Sequence, residues 1–103
     1  MIKLYVKGRG NSYFATGEYD GKGITILKGS TVSPRVASKI SPIVMKIRNN
    51  PEYVNRSNRV IKDIYFRSPS TAANFVTGNM SNGLMRWKNG EGISLKQLKS
   101  SAE

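Results

Sequence analysis

Arg67-Ser68-Pro69-Ser70-Thr71 gathers one guanidinium and three hydroxyls at what reads as the start of a helix. The first turn of a helix leaves backbone N–H groups without intrahelical partners, and beside a cation such groups can hold a phosphate. The same residues also make a plain cap, with Ser68 at the N-cap and Pro69 at the first helical position, contributing about 1 kcal/mol of stability and nothing more. Both readings stand on the sequence alone. A second basic set, Arg86 and Lys88, flanks the only tryptophan, Trp87. On a strand, alternation turns Trp87 one way and both cations the other, so Trp87 is expected in the core and Arg86 and Lys88 at the surface.

Catalytic chemistry lacks the residues it needs. The chain has no cysteine and no histidine, which removes thiol nucleophiles, disulfides, thiolate zinc sites and the commonest general base. Metal-assisted hydrolysis needs clustered carboxylates, and the candidates in structured segments are Glu18, Asp20, Asp63 and Glu91. Of these, Asp20-Gly21 is ordinary turn chemistry. Gly8-Arg9-Gly10 is not a phosphate loop, because neither the Gly-Lys-Ser/Thr ending nor a helix follows it. Ser68, Ser70 and Thr71 have no neighbouring base to activate them. The expectation is a protein that is not an enzyme and carries neither cofactor nor metal.

Charge points to binding instead. Seventeen Lys and Arg against six Asp and Glu leave a net charge of +11 over 103 residues, and the cations are spread through the foldable segments instead of being massed in a tail. Such a domain attracts phosphate polymers or other anionic surfaces. With 38% hydrophobic and 22% charged residues the composition is that of a globular chain, expected to form one domain over 1–103 that buries roughly 60–68% of its unfolded surface. Met1 to Val6 is too short, and too broken by Lys3, to act as a signal peptide. No apolar run approaches the ~18 residues of a membrane span. A cytoplasmic protein without membrane contact is expected.

The elements that must position these residues read as α+β, an antiparallel sheet covered by two to three helices. Ile2, Leu4 and Val6 alternate with Lys3, Tyr5 and Lys7, a half-buried strand whose outer face is basic with an aromatic in the middle. Arg9 stands at the tip of the following loop. Tyr13 to Tyr19 and Ile24 to Lys28 complete a three-stranded meander, and one or two short strands are expected later, in Val60 to Phe66 and Leu84 to Lys88. Ser33-Pro34 repeats the capping signature, with Val36, Ile40, Ile43, Val44 and Ile47 on one helical stripe and Arg35, Lys39 and Lys46 on a flanking basic one. Pro42 interrupts that helix: either it kinks there, or Ser41 caps a second helix beginning at Pro42. The Ser68 helix should run for about nine residues to Gly78, burying Ala72, Phe75 and Val76 and leaving Ser70, Asn74 and Thr77 on a polar side. Asn82-Gly83 reads as a turn, and Ser94 as the cap of a last helix carrying Leu95 and Leu98.

Several pieces in this order carry a family resemblance: Ala15-Thr16-Gly17-Glu18-Tyr19, Gly23 to Gly29-Ser30, Ser68-Pro69-Ser70-Thr71-Ala72-Ala73, Asn82-Gly83, Trp87-Lys88, Gly92 and Leu95. Together they resemble the small bacterial domain of unknown function often appended to GIY-YIG-type nuclease domains, and are similar to the RAMA domain of restriction and modification systems. The similarity spans roughly Ile2 to Leu98. Such relatives commonly carry Trp just after Asn-Gly, where Leu84 stands here. The resemblance implies a DNA-associated setting, and in the RAMA case recognition of modified DNA. The resulting expectation is a non-catalytic module binding the DNA phosphate backbone through Arg67, Ser68, Ser70, Thr71, Arg86 and Lys88, with Arg35, Lys39, Lys46, Arg9, Lys3 and Lys7 contributing charge. The alternative is a protein-interaction or regulatory module that tethers a nuclease or other partner.

Overall fold

Strands Ile2–Lys7 (β1), Phe14–Tyr19 (β2), Ile24–Ile26 (β3) and Ile64–Phe66 (β4) form one antiparallel sheet in the order β1-β2-β3-β4. The computed structural model describes residues 1–101, so the last two positions of the expected 1–103 domain lie outside the described residues. Helices Pro42–Arg48 (α1), Pro69–Thr77 (α2), Gly83–Arg86 (α3) and Leu95–Ser101 (α4) complete the α+β fold. The register puts Leu4 opposite Gly17 and Val6 opposite Ala15, with Gly17 in turn opposite Ile26 and Ile24 opposite Phe66. Period-two alternation therefore gives the sheet one apolar face. Its buried members join Val44, Ala72, Phe75, Val76, Trp87 and Leu95 in one hydrophobic cluster. The other face carries Lys3, Tyr5 and Lys7 from β1, Phe14, Thr16 and Glu18 from β2, Thr25 and Tyr65, all exposed or half-buried.

Helix α2 follows its punctuation. Ser68 is extended, its hydroxyl accepts from the Thr71 N–H at 3.1 Å, Pro69 takes the first position, and Gly78 leaves the helix in the left-handed region at φ 75°. That gives the nine residues expected. Its environment differs from the expectation, because Asn74 and Thr77 are buried along with Ala72, Phe75 and Val76. Both polar side chains are satisfied by the chain that follows: Asn74 Oδ1 accepts from the Ser81 N–H at 2.6 Å, and the Thr77 hydroxyl pairs with Ser81 and with Asn79. A buried polar group is tolerated on those terms.

Three local expectations are overturned. No helix starts at Ser33-Pro34; residues 33–41 run irregularly and only α1 is helical, beginning at Pro42 as in the second of the two alternatives. The first bond of a Ser33 helix would join the Ala37 N–H to the Ser33 carbonyl. Instead Ala37 donates to the Gly78 carbonyl at 2.8 Å, and the Ser33 carbonyl accepts from Arg48 at 2.9 Å. Tertiary partners have taken both groups, and Pro42, which has no N–H and restricts Ser41 to an extended conformation, keeps the segment separate from α1. The basic stripe of Arg35, Lys39 and Lys46 is therefore not a stripe: only Lys46 is helical. Val36 and Ile43 likewise leave the apolar side and are 36% and 55% exposed. The second correction concerns Leu84 to Lys88, expected as a strand. Asn82 accepts from the Leu84 N–H and caps the single turn α3, after which Trp87 and Lys88 are extended. Third, the strand expected from Val60 shrinks to β4, because Val60 pairs singly with Val54 and Asp63 accepts from the Lys28 N–H at 2.7 Å.

Trp87 is the largest fully buried side chain, lying over Gly17 of β2, where an added Cβ would stand 3.0 Å from the indole ring. Its indole N–H donates to the Pro69 carbonyl at 3.0 Å. Gly83 sits directly on the backbone of Pro69 and Ser70, with no room for a side chain. Gly83→Ala should therefore cost at least about 2 kcal/mol in urea unfolding, because the clash is with backbone and cannot be relieved by a rotamer change. Gly90→Ala, at a position with open space around it, should stay within about 0.5 kcal/mol of the parent.

Candidate nucleic-acid interface

The sequence-selected cations fall into separate places. Lys88 is drawn to the edge of β1 by a two-way backbone bridge with Tyr5, its carbonyl accepting from the Tyr5 N–H at 2.7 Å and its N–H donating back at 3.1 Å. Directly opposed residues of an antiparallel pair share a face, so Lys88 stands on the open face beside Tyr5. Lys7 stands there too, opposite Phe14. Arg86, at the end of α3, donates from its guanidinium to the Tyr13 hydroxyl at 3.2 Å. These three cations, with Tyr5, Phe14, Asn89, Gly90 and Gly92, line a cleft of about 390 Å³. Within it the Tyr5 and Phe14 rings are 5.6 Å apart between centroids and tilted by 36°. Phe14 is 42% exposed.

The loop that closes one side of the cleft is fixed by Asn89, whose Oδ1 accepts from the Glu91 and Ile93 N–H groups at 2.9 and 3.0 Å. That commits the amide oxygen and leaves its NH2 group as donor. Glu91 is exposed in the same loop and does not line the cleft. Lys3 lies two residues from Tyr5 on the same face, opposite Glu18, and Arg9 is exposed in the short turn beyond β1. Both therefore border the cleft's strand without lining it.

Arg67, Ser68 and Thr71 are elsewhere, in a second hollow of about 410 Å³ with Ile43, Ile47, Tyr65 and Phe66. Its surroundings are mainly apolar, and the hydroxyls expected to meet a phosphate have partners. Ser68 Oγ lies 2.9 Å from Thr71 Oγ1 while capping the helix, and Ser70 Oγ accepts from the Gly83 N–H at 3.1 Å. Arg67 itself is exposed. Arg35 and Lys39 belong to the segment bonded to the C-terminal end of α2, about 13 Å of helix away from the Pro69 end where Trp87 docks. Lys46 is exposed on α1. The open sheet thus brings Lys7, Arg86 and Lys88 together and leaves Arg67, Arg35, Lys39 and Lys46 apart from them.

Of the carboxylates considered for chemistry, Glu18 lies on β2 opposite Lys3, and Asp20, Asp63 and Glu91 are turn and loop residues. The Gly23 and Lys22 N–H groups donate to Asp20 Oδ1 at 2.9 Å and hold its carboxyl below the ordinary value for an aspartate. Asp63 is the acceptor for Lys28 described above, and among the described residues no group of three acidic, His or Cys side chains is placed to hold a metal ion. No helix of the described residues is long and apolar enough to cross a membrane.

The model of the domain of unknown function DUF4357 matches residues 4–99, a span that takes in the sheet from Leu4 onward, the cleft and α2. The chain belongs to the DUF4357 family. None of the curated proteins compared matches it, and no solved structure matches it either. The DUF4357 fold uses one cation that sequence reading passed over. Arg48, at the end of α1, donates from Nε to the Phe75 carbonyl at 2.9 Å and from its terminal nitrogens to the Ser33 and Val76 carbonyls at 2.9 and 3.3 Å. Its guanidinium carbon lies 5.8 Å from the Phe75 ring centre. Burial pushes its pKa down, but a guanidinium stays charged at any pH the fold survives. The fork-shaped donor array reaches three carbonyls, which an ammonium on a flexible stem does not reproduce. Arg48→Ala should lower stability by about 2–3 kcal/mol, and Arg48→Lys should recover less than half of that loss in the same denaturation experiment.

Proposed function

We propose that this DUF4357 domain is a small non-catalytic DNA-binding module that engages the phosphate backbone from the open face of its sheet. The observation that carries the reading is the convergence of Lys7, Arg86 and Lys88 around the half-buried Tyr5 and the exposed Phe14 rings, on a chain of net charge +11. Cations spaced around one concavity supply the phosphate contacts from which most non-specific affinity comes, and the chain-wide field gathers the polymer. Aromatic rings among them are the second ingredient of a nucleic-acid surface. The resemblance to the domain appended to GIY-YIG nucleases and to the RAMA domain supports a proposed setting in a bacterial restriction, modification or nuclease system.

A second reading draws on the other hollow, where Ile43 and Tyr65 are 55% and 50% exposed beside Arg67. Exposed apolar side chains rimmed by polar groups suit a protein contact, and a pull-down that recovers a partner after nuclease treatment favours it. For the DNA reading, retention of the domain on duplex DNA should be strong at low salt and fall steeply at moderate salt. Absence of retention at low salt rejects it. Combined Lys7→Ala, Arg86→Ala and Lys88→Ala should make the logarithmic salt dependence shallower by roughly 2–3, about 0.9 for each phosphate no longer neutralised. Arg35→Ala with Lys39→Ala, away from the cleft, should change it by less than about 1.

A further inference from the structure

Phosphate contact accounts for the cations of the cleft but not for its floor. A duplex presents phosphates on its outside and keeps the flat faces of its bases stacked within, so rings at the bottom of a concavity gain nothing from it. Here two rings lie together on a face that no helix of the described residues covers: Tyr5 from the middle of β1 and Phe14 from the start of β2, with Phe14 42% exposed. Exposing an aromatic ring forgoes the burial that ordinarily justifies one. The register holds the rings in place, since Tyr5 pairs with Thr16 on one side and is bridged to Lys88 on the other, while Phe14 pairs with Lys7. The platform is therefore built on strands and is rigid before any ligand arrives.

We infer that the cleft takes an unpaired nucleotide, with its base stacked on Phe14 beside Tyr5 and its flanking phosphates held by Lys7, Arg86 and Lys88. This rests on the DNA-binding reading above and deepens it by naming the form of DNA: a single strand, or a base out of its stack. Three features fit that ligand. A cleft of about 390 Å³ lies in the range of ~300–1,000 Å³ that holds small-molecule-sized groups, and it is too small to admit a duplex. The side-chain nitrogens of Lys7, Arg86, Lys88 and Asn89 are donors, complementing phosphate and the carbonyl oxygens of a base. At Gly90 an added Cβ would meet nothing within 4 Å, and the same is true at Gly92, so the loop forming that wall leaves room for a ligand to approach its backbone. A base can stack on a ring only through a face that the duplex conceals, so stacking selects for unpaired strands, tolerantly of sequence.

The test is fluorescence anisotropy of a labelled 12-nucleotide oligothymidylate and of a labelled 12-base-pair duplex at low salt, using the whole chain. The parent protein should bind the single strand at least about tenfold more tightly than the duplex. Phe14→Leu, which keeps an apolar side chain but removes the π face, should cut single-strand affinity on the order of tenfold and bring the ratio near one, and Phe14→Trp should preserve the ratio. Thermal unfolding of each variant establishes that it is folded. Equal affinity for the two forms, or an unchanged ratio in Phe14→Leu, overturns the unpaired-base inference while leaving duplex binding standing. Failure to bind either form at low salt overturns the DNA-binding reading itself.

Discussion

The fold depends on finding an acceptor for one buried N–H. Trp87 is completely enclosed, and an indole nitrogen in that position costs on the order of 1–3 kcal/mol unless it is hydrogen-bonded. The Pro69 carbonyl meets it at 3.0 Å, and two glycines make the meeting geometrically feasible. Gly83 lets α3 press against the backbone of α2's first turn, and Gly17 opens the sheet where a methyl would stand 3.0 Å from the ring. Once Trp87 is seated, the next residue has little choice. Lys88 emerges beside Tyr5, is fixed there by two backbone hydrogen bonds, and projects onto the open face of the sheet. The position of a surface cation is thus set by the packing of a core residue one step earlier in the chain.

The opposite end of α2 is held by a charge. Its last-turn carbonyls have no basic residue of their own helix to meet them, and Gly78 satisfies only part of the need by returning its N–H to Asn74 at 2.9 Å. Arg48 supplies donors to Phe75 and Val76 and, through Ser33, ties the irregular segment 33–41 to the same point. A favourable interaction between a cation and a helix C-terminus is strengthened where solvent is excluded. Positive charge therefore serves two different ends here, a guanidinium that closes the interior and the amines and guanidinium that rim the cleft. Arg48 and Arg86 are indistinguishable by composition and opposite in use.

That division explains what the sequence disclosed. Helix α2 was legible to the residue because its beginning and end are written in local chemistry: a hydroxyl three positions before an N–H, a proline where no donor is needed, and a glycine where φ must be positive. The meander was legible for the same reason, from alternation and from turns such as Asp20-Gly21. Ser33-Pro34 carries the same letters as Ser68-Pro69, yet its hydroxyl accepts from Arg35 two residues on instead of starting a helix. The difference lies in Gly78 and Arg48, which take the Ala37 and Ser33 backbone groups from a distance that no local rule sees. Trp87 was placed correctly in the core and its alternation with Lys88 holds, but α3 precedes it where a strand was expected, so Arg86 is helical. Of the candidate site, Lys7, Arg86 and Lys88 were legible as cations and Tyr5 as an aromatic on a basic face. Phe14 was not singled out, because its partnership with Tyr5 depends on the register between β1 and β2.

The edge of β1 limits how the open face can be used. An edge strand normally offers its free backbone groups to another strand, and many domains recognise extended peptides in that way. At Tyr5 both backbone groups are already engaged by Lys88, so the middle of this edge is closed by the domain's own chain. Lys88 is in turn paired with Ser94, which places a further piece of backbone outside it. What remains available on this side is the face, where side chains and not main-chain ladders make the contacts. A face of rings and cations discriminates by stacking and charge, and neither depends on the order of residues in a partner strand. The closed edge and the exposed rings are therefore two consequences of one docking event, in which the Trp87 segment leaves the core and lies alongside β1.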